Sequence, residues 1–107
     1  FHRGGGGINS LSATDLALVR SIQINDAMAK PTTDPMTESI TARLLPGEGT
    51  IAFPQLLPVL FEHAATDVVS LEVFNTELAR QPAIDIARRA AQAAHCVLAA
   101  LSASEDQ

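Results

Sequence analysis

The chain has 107 residues, 47% of them hydrophobic and only 4% aromatic, and its formal net charge is −5. This length fits one small domain, and an acidic chain without a basic stripe argues against a nucleic-acid partner. No uncharged run reaches the ~18 residues of a transmembrane helix, so no membrane partner is expected. The single Cys96 fits a reducing, cytoplasmic compartment and is expected to be a small buried residue of a helix.

The first third of the chain predicts a short helix followed by a strand. Residues 12–20 read SATDLALVR, in which Ser12 precedes an apolar run, a pattern typical of a helix start. Residues 20–27 alternate between aliphatic and polar side chains, which predicts a strand. Its Ile22 and Ile24 share one face, and its polar residues share the other.

A long irregular stretch follows at residues 27–50, with prolines and glycines spread along it and a short helix at 36–43. Loops of this length in compact domains are usually functional or disordered, and we expect this one to border an active site. Residues 53–65 then predict a helix, because Pro54 suits the first turn and leucines follow at helical spacing.

The last third predicts a second strand and a long helix. Residues 67–74 form an apolar, β-branched run, residues 82–101 carry apolar side chains at helical spacing, and residues 102–107 read as a frayed polar tail. The helix is expected to pack through one stripe: Ala87, Ala91, Ala94, Leu98 and Leu101. Strands that alternate with helices indicate βα units and a parallel sheet.

One carboxylate, Glu72, interrupts the apolar run of the second predicted strand. A buried carboxylate costs several kcal/mol unless it is paired or binds a metal. In an α/β barrel the polar face of such strands looks toward the carboxyl-end mouth, where active sites lie. A metal ion held by Glu72, with Gln23 as a weaker candidate ligand, is one interpretation. A solvated Glu72, or an ion pair with Arg43 or Lys30, is the other.

Four motifs in register resemble those of the sugar-phosphate isomerase/epimerase family, the xylose-isomerase-like (β/α)8 barrels. FH before a Gly-rich stretch resembles the end of the family's Asp-x-x-His strand, and IQINDA resembles its next strand. RLLPGEGTIAF resembles a Pro-Gly-x-Gly loop that leads into a helix, and SLEVFN resembles the final strand with its terminal Glu ligand. The resemblance implies that residues 1–107 form the C-terminal part, about three βα units, of a single TIM-barrel domain, because a closed barrel needs roughly 250 residues.

The resemblance also implies roles for individual residues. Glu72 matches the family's last metal ligand, and Gln23 matches the third ligand in the variant that uses an amide oxygen. His2 matches the histidine that lies at the substrate. Arg43 matches a position that in some members contacts a substrate carboxylate or phosphate, and Ser39, one helical turn earlier, would join it in binding the substrate. The family's other two ligands, a Glu and an Asp, would fall outside this chain.

The activity that the resemblance implies is a divalent-metal-dependent isomerase or epimerase of a small sugar or hydroxy-keto acid, with Mg²⁺, Mn²⁺ or Co²⁺ as cofactor. The ion would stabilise the enediolate formed when a carboxylate, Glu72 or the absent Glu, removes the α-proton, while His2 hydrogen-bonds a substrate oxygen. A dehydratase of dehydroshikimate or inosose type is the alternative. A third hypothesis is a non-catalytic half-barrel completed by a homo-oligomeric partner or by another chain; on its own, the fragment is expected to be inactive.

Overall fold

The computed structural model describes Arg3, residues 8–10 and residues 13–105, which form an α/β architecture. Its elements follow in this order: a 3-10 turn at Ile8–Ser10, α1 (Ala13–Leu16), β1 (Ile22–Ile24), α2 (Pro35–Thr41), α3 (Phe53–His63), β2 (Val69–Leu71), a 3-10 turn at Leu78–Arg80, and α4 (Ala83–Glu105). The predicted alternation of strands and helices is confirmed. No helix within the described ranges is both long enough and apolar enough to cross a membrane.

The two strands pair in parallel, as the sequence predicted. The register sets three pairs side by side: Ile22 with Val69, Gln23 with Ser70, and Ile24 with Leu71. In β1 the residues alternate between buried and exposed, so the sheet has one aliphatic face and one polar face. Within the described part of the chain, each strand also has an outer edge that pairs with no other strand.

The core lies between the aliphatic face of the sheet and the two longer helices. It consists of five buried residues: Ile22, Ile24, Phe53, Leu57 and Val97. Burial of an aliphatic side chain such as Leu57, which is fully buried, stabilises a fold by roughly 1.5–3 kcal/mol. Because α3 and α4 supply the rest of this cluster, they cover the aliphatic face, while Gln23 and Ser70 on the other face are exposed.

Helix α2 forms inside the long loop, close to the predicted helix at 36–43. Asp34 caps its start by accepting a hydrogen bond from the Thr37 N–H at 3.0 Å, and Pro35 occupies the first turn, where a missing N–H costs nothing. The helix ends at Thr41, and the N–H of the following residue, Ala42, donates to the Glu38 carbonyl. This short helix presents Glu38 and Ser39 to the rest of the chain.

The buried stripe of α4 differs from the predicted one. Ala94 and Leu101 are half-buried as expected, but Ala87, Ala91 and Leu98 are exposed. The buried residue is Val97, and Ile86 is half-buried. Ile86 and Val97 share one side of the helix, and each precedes a residue of the predicted stripe by one position, which is about 100° around the helix axis.

Three further predictions about the chain are corrected by the structure. Cys96 is exposed rather than buried, because neighbouring helical positions lie about 100° apart and Val97 takes the buried position. The predicted frayed tail is helical as far as Glu105. The first helix is shorter than the predicted 12–20, and its predicted cap, Ser12, lies outside the described residues.

Candidate functional site

Gln23 and Glu72 lie on the same face of the sheet and near the same end. Gln23 stands beside Ser70, and Glu72 follows Ser70 by two residues, so its side chain projects on the same side. With strands about 4.8 Å apart and a rise of about 3.3 Å per residue, their Cα atoms are about 8 Å apart. Two side chains of this length are long enough to bridge such a separation.

The prediction that Glu72 lies in a buried strand is wrong. Its side chain is exposed, and β2 ends one residue before it. Of the ion pairs among the described side chains, none includes Glu72, so neither Arg43 nor Lys30 neutralises it. The reason is that helices cover only the other face of the sheet, and water hydrates the carboxylate. The role of Glu72 as a metal ligand stays a prediction. An exposed carboxylate needs no cation to offset burial, so the cost of burial is not an argument for it.

Asn25 connects the ends of the two strands beside these candidate ligands. Its Nδ2 donates to the Glu72 carbonyl at 3.1 Å, while the Glu72 N–H donates to the Ile24 carbonyl at 3.2 Å. The backbone of Glu72 is therefore held from β1 through both its N–H and its carbonyl. The alternation of the sequence predicted that Asn25 lies on the polar face. Its hydrogen bond to Glu72 could not be predicted, because the two residues are 47 positions apart and no local pattern links them.

Arg43 and Ser39, the two predicted substrate-binding residues of this segment, lie in contact with each other. The Arg43 Nη2 donates to the Ser39 Oγ at 2.9 Å, and the Ser39 hydroxyl donates to the Pro35 carbonyl at 2.8 Å. Among the described residues, no carboxylate pairs with Arg43. A guanidinium fixed by a neutral hydroxyl keeps its full charge and has N–H groups left for an anion.

An open depression of about 330 Å³ is lined by Arg43 and Gln23 but by neither Ser39 nor Glu72. Its polar lining consists of Arg3, Gln23, Asn25 and Arg43, and the rest of its lining is largely aliphatic. A small organic molecule fits a concave, mostly apolar site with a few polar groups. The depression therefore combines a metal-ligand candidate, Gln23, with an anion-binding candidate, Arg43.

The charge of Arg3 is neutralised within the chain. Its Nη2 contacts both oxygens of Glu38, at 2.8 and 3.0 Å, and its Nε and Nη2 donate to the Met28 carbonyl. The Glu38 side chain is only 4% exposed, and a buried carboxylate needs such a partner. This pair leaves Arg43 as the unbalanced cation among the described residues that line the depression. His2, the predicted neighbour of the substrate, lies outside the described residues.

A buried carboxylate that the sequence did not single out, Asp26, organises the loop beside the depression. Asp26 has no exposed surface. It accepts hydrogen bonds from the backbone N–H groups of Ala27, Gly47, Gly49 and Ile51 at 2.8, 2.9, 3.0 and 3.0 Å. A Cβ at Gly49 would collide with this carboxylate and with the Ala27 carbonyl, which explains a glycine here.

The side-chain oxygens of Gln23 and Glu72 fit part of a metal site. Within the described ranges, no group of three or more His, Cys, Asp and Glu side chains is arranged to hold an ion. Gln23 and Glu72 offer an amide oxygen and a carboxylate oxygen, which are ligands suited to hard divalent cations. Any further ligands would have to come from residues beyond this pair.

Comparisons with known proteins returned no match: no family model, no curated protein and no solved structure matches the chain. The likeness to xylose-isomerase-like barrels therefore rests on the four sequence motifs.

Proposed function

We propose that this chain forms part of the active site of a (β/α)8-barrel enzyme, a divalent-metal-dependent isomerase or epimerase of a small sugar or hydroxy-keto acid. One observation carries the proposal. Gln23 and Glu72 project from the polar face near the carboxyl ends of two parallel strands, and Gln23 shares a depression with Arg43. Active sites of such barrels are built at that end of the strands.

The barrel architecture is supported by the two faces and the two edges of the sheet. Helices cover its aliphatic face, as they do on the outside of a barrel, and its polar face is open. The outer edges of β1 and β2 offer backbone groups that no described strand pairs with. Further parallel strands would satisfy those groups and would turn the polar face into a barrel interior.

Glu72 and Gln23 are the residues of this chain that would hold the ion. When bound, a divalent ion supplies a Lewis acid for the oxygens of the substrate. The chain's own contribution at this point is orientation, because Asn25 and the last bond of the strand pair fix the Glu72 backbone. The exposed Glu72 carboxylate, or a carboxylate from outside this chain, takes the α-proton, and the electron pair of the C–H bond moves toward the carbonyl group.

Arg43 binds the anionic group of the substrate in this proposal. The Ser39 hydroxyl occupies one N–H of the guanidinium and fixes its plane, so the remaining N–H groups meet a carboxylate or phosphate with little loss of freedom. His2 would hydrogen-bond a substrate oxygen. Return of the proton to the former carbonyl carbon, with transfer of the hydroxyl proton of the α-carbon to the former carbonyl oxygen, gives the isomer. Return of the proton to the opposite face of the α-carbon gives the epimer.

A dehydratase of dehydroshikimate or inosose type is the second candidate, favoured by the amide ligand Gln23 together with the contact between Arg43 and Ser39. It shares the removal of the α-proton. It differs in the next step, in which the electron pair expels the β-hydroxyl group and water leaves. A third candidate, a half-barrel that only binds a partner chain, predicts neither step.

Exchange of the α-proton with solvent separates these candidates. The complete protein is incubated in D₂O with Mg²⁺ or Mn²⁺ and a panel of small hydroxy-keto acids, ketoses and cyclic polyol ketones, and products are followed by NMR. An isomerase or epimerase gives a deuterated isomer, and a dehydratase gives an unsaturated product with loss of water. Absence of deuterium incorporation and of turnover across the panel, with metal bound, would contradict the enzymatic proposal.

A further inference from the structure

The segment Ala42–Leu44, here called the strap, joins the residues that follow both strands. On one side, Leu44 exchanges two backbone hydrogen bonds with Asp26, at 2.8 and 2.9 Å. On the other side, the Arg43 N–H donates to the Phe74 carbonyl at 2.9 Å, and Ala42 forms a bridge with Asn75. The backbone of Arg43 is thus held between the end of β1 and the segment after β2.

Asn75 adds a side-chain contact to this backbone arrangement. Its Nδ2 donates to the Arg43 carbonyl at 2.9 Å, and its Oδ1 accepts a hydrogen bond from the Leu78 N–H at 2.8 Å. Both ends of the amide are therefore used, so the side chain is fixed by the turn at Leu78 on one side and fixes Arg43 on the other. Asn75 is half-buried, which limits competition from water.

We propose that Asn75 is a positioning residue for Arg43. It holds the backbone from which the guanidinium enters the depression, so that the anion-binding group keeps a set distance from the polar face that carries Gln23 and Glu72. A long, flexible side chain binds a ligand in one geometry only when its own backbone and plane are fixed. Ser39 fixes the plane, and Asn75 fixes the backbone. This inference rests on the proposed function, in which Arg43 binds an anionic substrate group.

The test measures anion binding at Arg43 directly. In the complete protein, the Nε–Hε signal of Arg43 is followed by NMR during titration with glycolate and, separately, with inorganic phosphate. The variant is Asn75→Ser, whose hydroxyl still accepts from the Leu78 N–H but is too short to reach the Arg43 carbonyl. Gln81→Ala is the matched control, because Gln81 is exposed and its amide contacts Arg89 rather than the strap.

The loss of one hydrogen bond that orders the binding group is expected to weaken anion binding about fivefold in Asn75→Ser. Gln81→Ala should bind as the parent does. Asn75→Ser should bind Mn²⁺ as tightly as the parent. General destabilisation would weaken both anion binding and Mn²⁺ binding, so weaker anion binding alone identifies the positioning role. If Asn75→Ser does not fold, Asn75→Thr replaces it, since it keeps the hydroxyl and fills more of the volume.

Two further results would overturn the inference in distinguishable ways. A folded Asn75→Ser that binds both anions as tightly as the parent removes the positioning role and leaves the proposed function standing. If neither anion moves the Arg43 signal in the parent, or if calorimetric titration shows that Arg43→Ala binds both anions as tightly as the parent, Arg43 is not an anion ligand. The proposed substrate contact and the role of Asn75 then fall together.

Discussion

Replacing Asp26 with asparagine is expected to destabilise the loop that borders the candidate site. The two side chains have the same shape, but asparagine has one acceptor oxygen where aspartate has two. In the native chain Oδ1 accepts from Ala27 and Ile51, and Oδ2 accepts from Gly47 and Gly49. In Asp26→Asn the amide group that replaces Oδ2 is itself a donor, so the N–H groups of Gly47 and Gly49 would lose their acceptor.

The size of the effect follows from those two lost acceptors. A buried donor left without a partner costs about 1–3 kcal/mol. The glycine N–H groups are only partly buried, so the lower half of the range applies, and the total is about 2–4 kcal/mol. Against a typical stability of about 5–15 kcal/mol, this loss is large.

Urea unfolding followed by far-ultraviolet circular dichroism measures the change, and amide hydrogen exchange at residues 47–51 shows whether it is local. Glu48→Gln is the matched control in the same loop, because the Glu48 side chain is 45% exposed and its ion pair, with Arg89 at 3.6 Å, lies at the surface. Such a surface pair contributes about 0–1 kcal/mol. Equal stability and equal exchange rates in Asp26→Asn and Glu48→Gln would show that the Asp26 carboxylate does not hold this loop.

Three further predictions concern pH, substrate binding and assembly. Hydrogen bonds from the Thr37 side chain, and then from its N–H, lower the pKa of Asp34 below the ordinary 3.8. The Asp34 cap therefore stabilises α2 fully above pH 3.8, and this stabilisation is lost as the pH falls through the lowered pKa. A ¹³C NMR titration of Asp34 with its midpoint at or above 3.8 would contradict the prediction. Arg43→Lys should lower kcat/KM for an anionic substrate about tenfold, because a bidentate fork is lost; an unchanged value would show that Arg43 does not bind the substrate. The isolated 107-residue chain should associate through the unpaired edges of its sheet, whereas light scattering from a monomer with a sharp, concentration-independent melt would exclude this.

Local periodicity was enough to predict the elements and their order. The alternation at residues 20–27 predicted both β1 and the burial of Ile22 and Ile24, because a strand against helices buries every second residue. Helices between the strands predicted the parallel pairing, since parallel neighbours need a crossover connection. These features depend on residues close together in the chain.

Burial and long-range contacts were less predictable. Many small alanines in α4 gave no clear phase, so the helix face was assigned incorrectly. The apolar neighbours of Glu72 predicted a buried strand, with a solvated carboxylate as the alternative; the carboxylate is exposed, because exposure depends on which faces other elements cover. The contacts of Asp26 with Gly47 and of Asn75 with Arg43 join residues 21 and 32 positions apart, and no periodic pattern records them. The sequence identifies the residues that carry carboxylate and amide groups, but only the fold shows which groups they bond to.

The proposed metal-dependent function requires that Glu72 and Gln23 share a divalent ion. Removing a charged ligand should weaken binding far more than removing a neutral one, and loss of even a supporting residue near a metal typically costs about 10–100-fold. Gln23→Ala should therefore bind more weakly than the parent but more tightly than Glu72→Gln. Gln23→His should retain the ion, with Mn²⁺ or Co²⁺ favoured over Mg²⁺, because imidazole suits those metals better.

Calorimetric titration of Mn²⁺ into the complete apo protein and its Glu72→Gln variant is the most direct measurement. Glu77→Gln serves as the control, since Glu77 is 79% exposed and pairs with Arg80 at 2.7 Å. We expect Glu72→Gln to bind at least about 100-fold more weakly than the parent, and Glu77→Gln to bind as the parent does. If Glu72→Gln binds the ion as tightly as the parent, Glu72 is a solvated surface carboxylate and the metal-dependent function is contradicted.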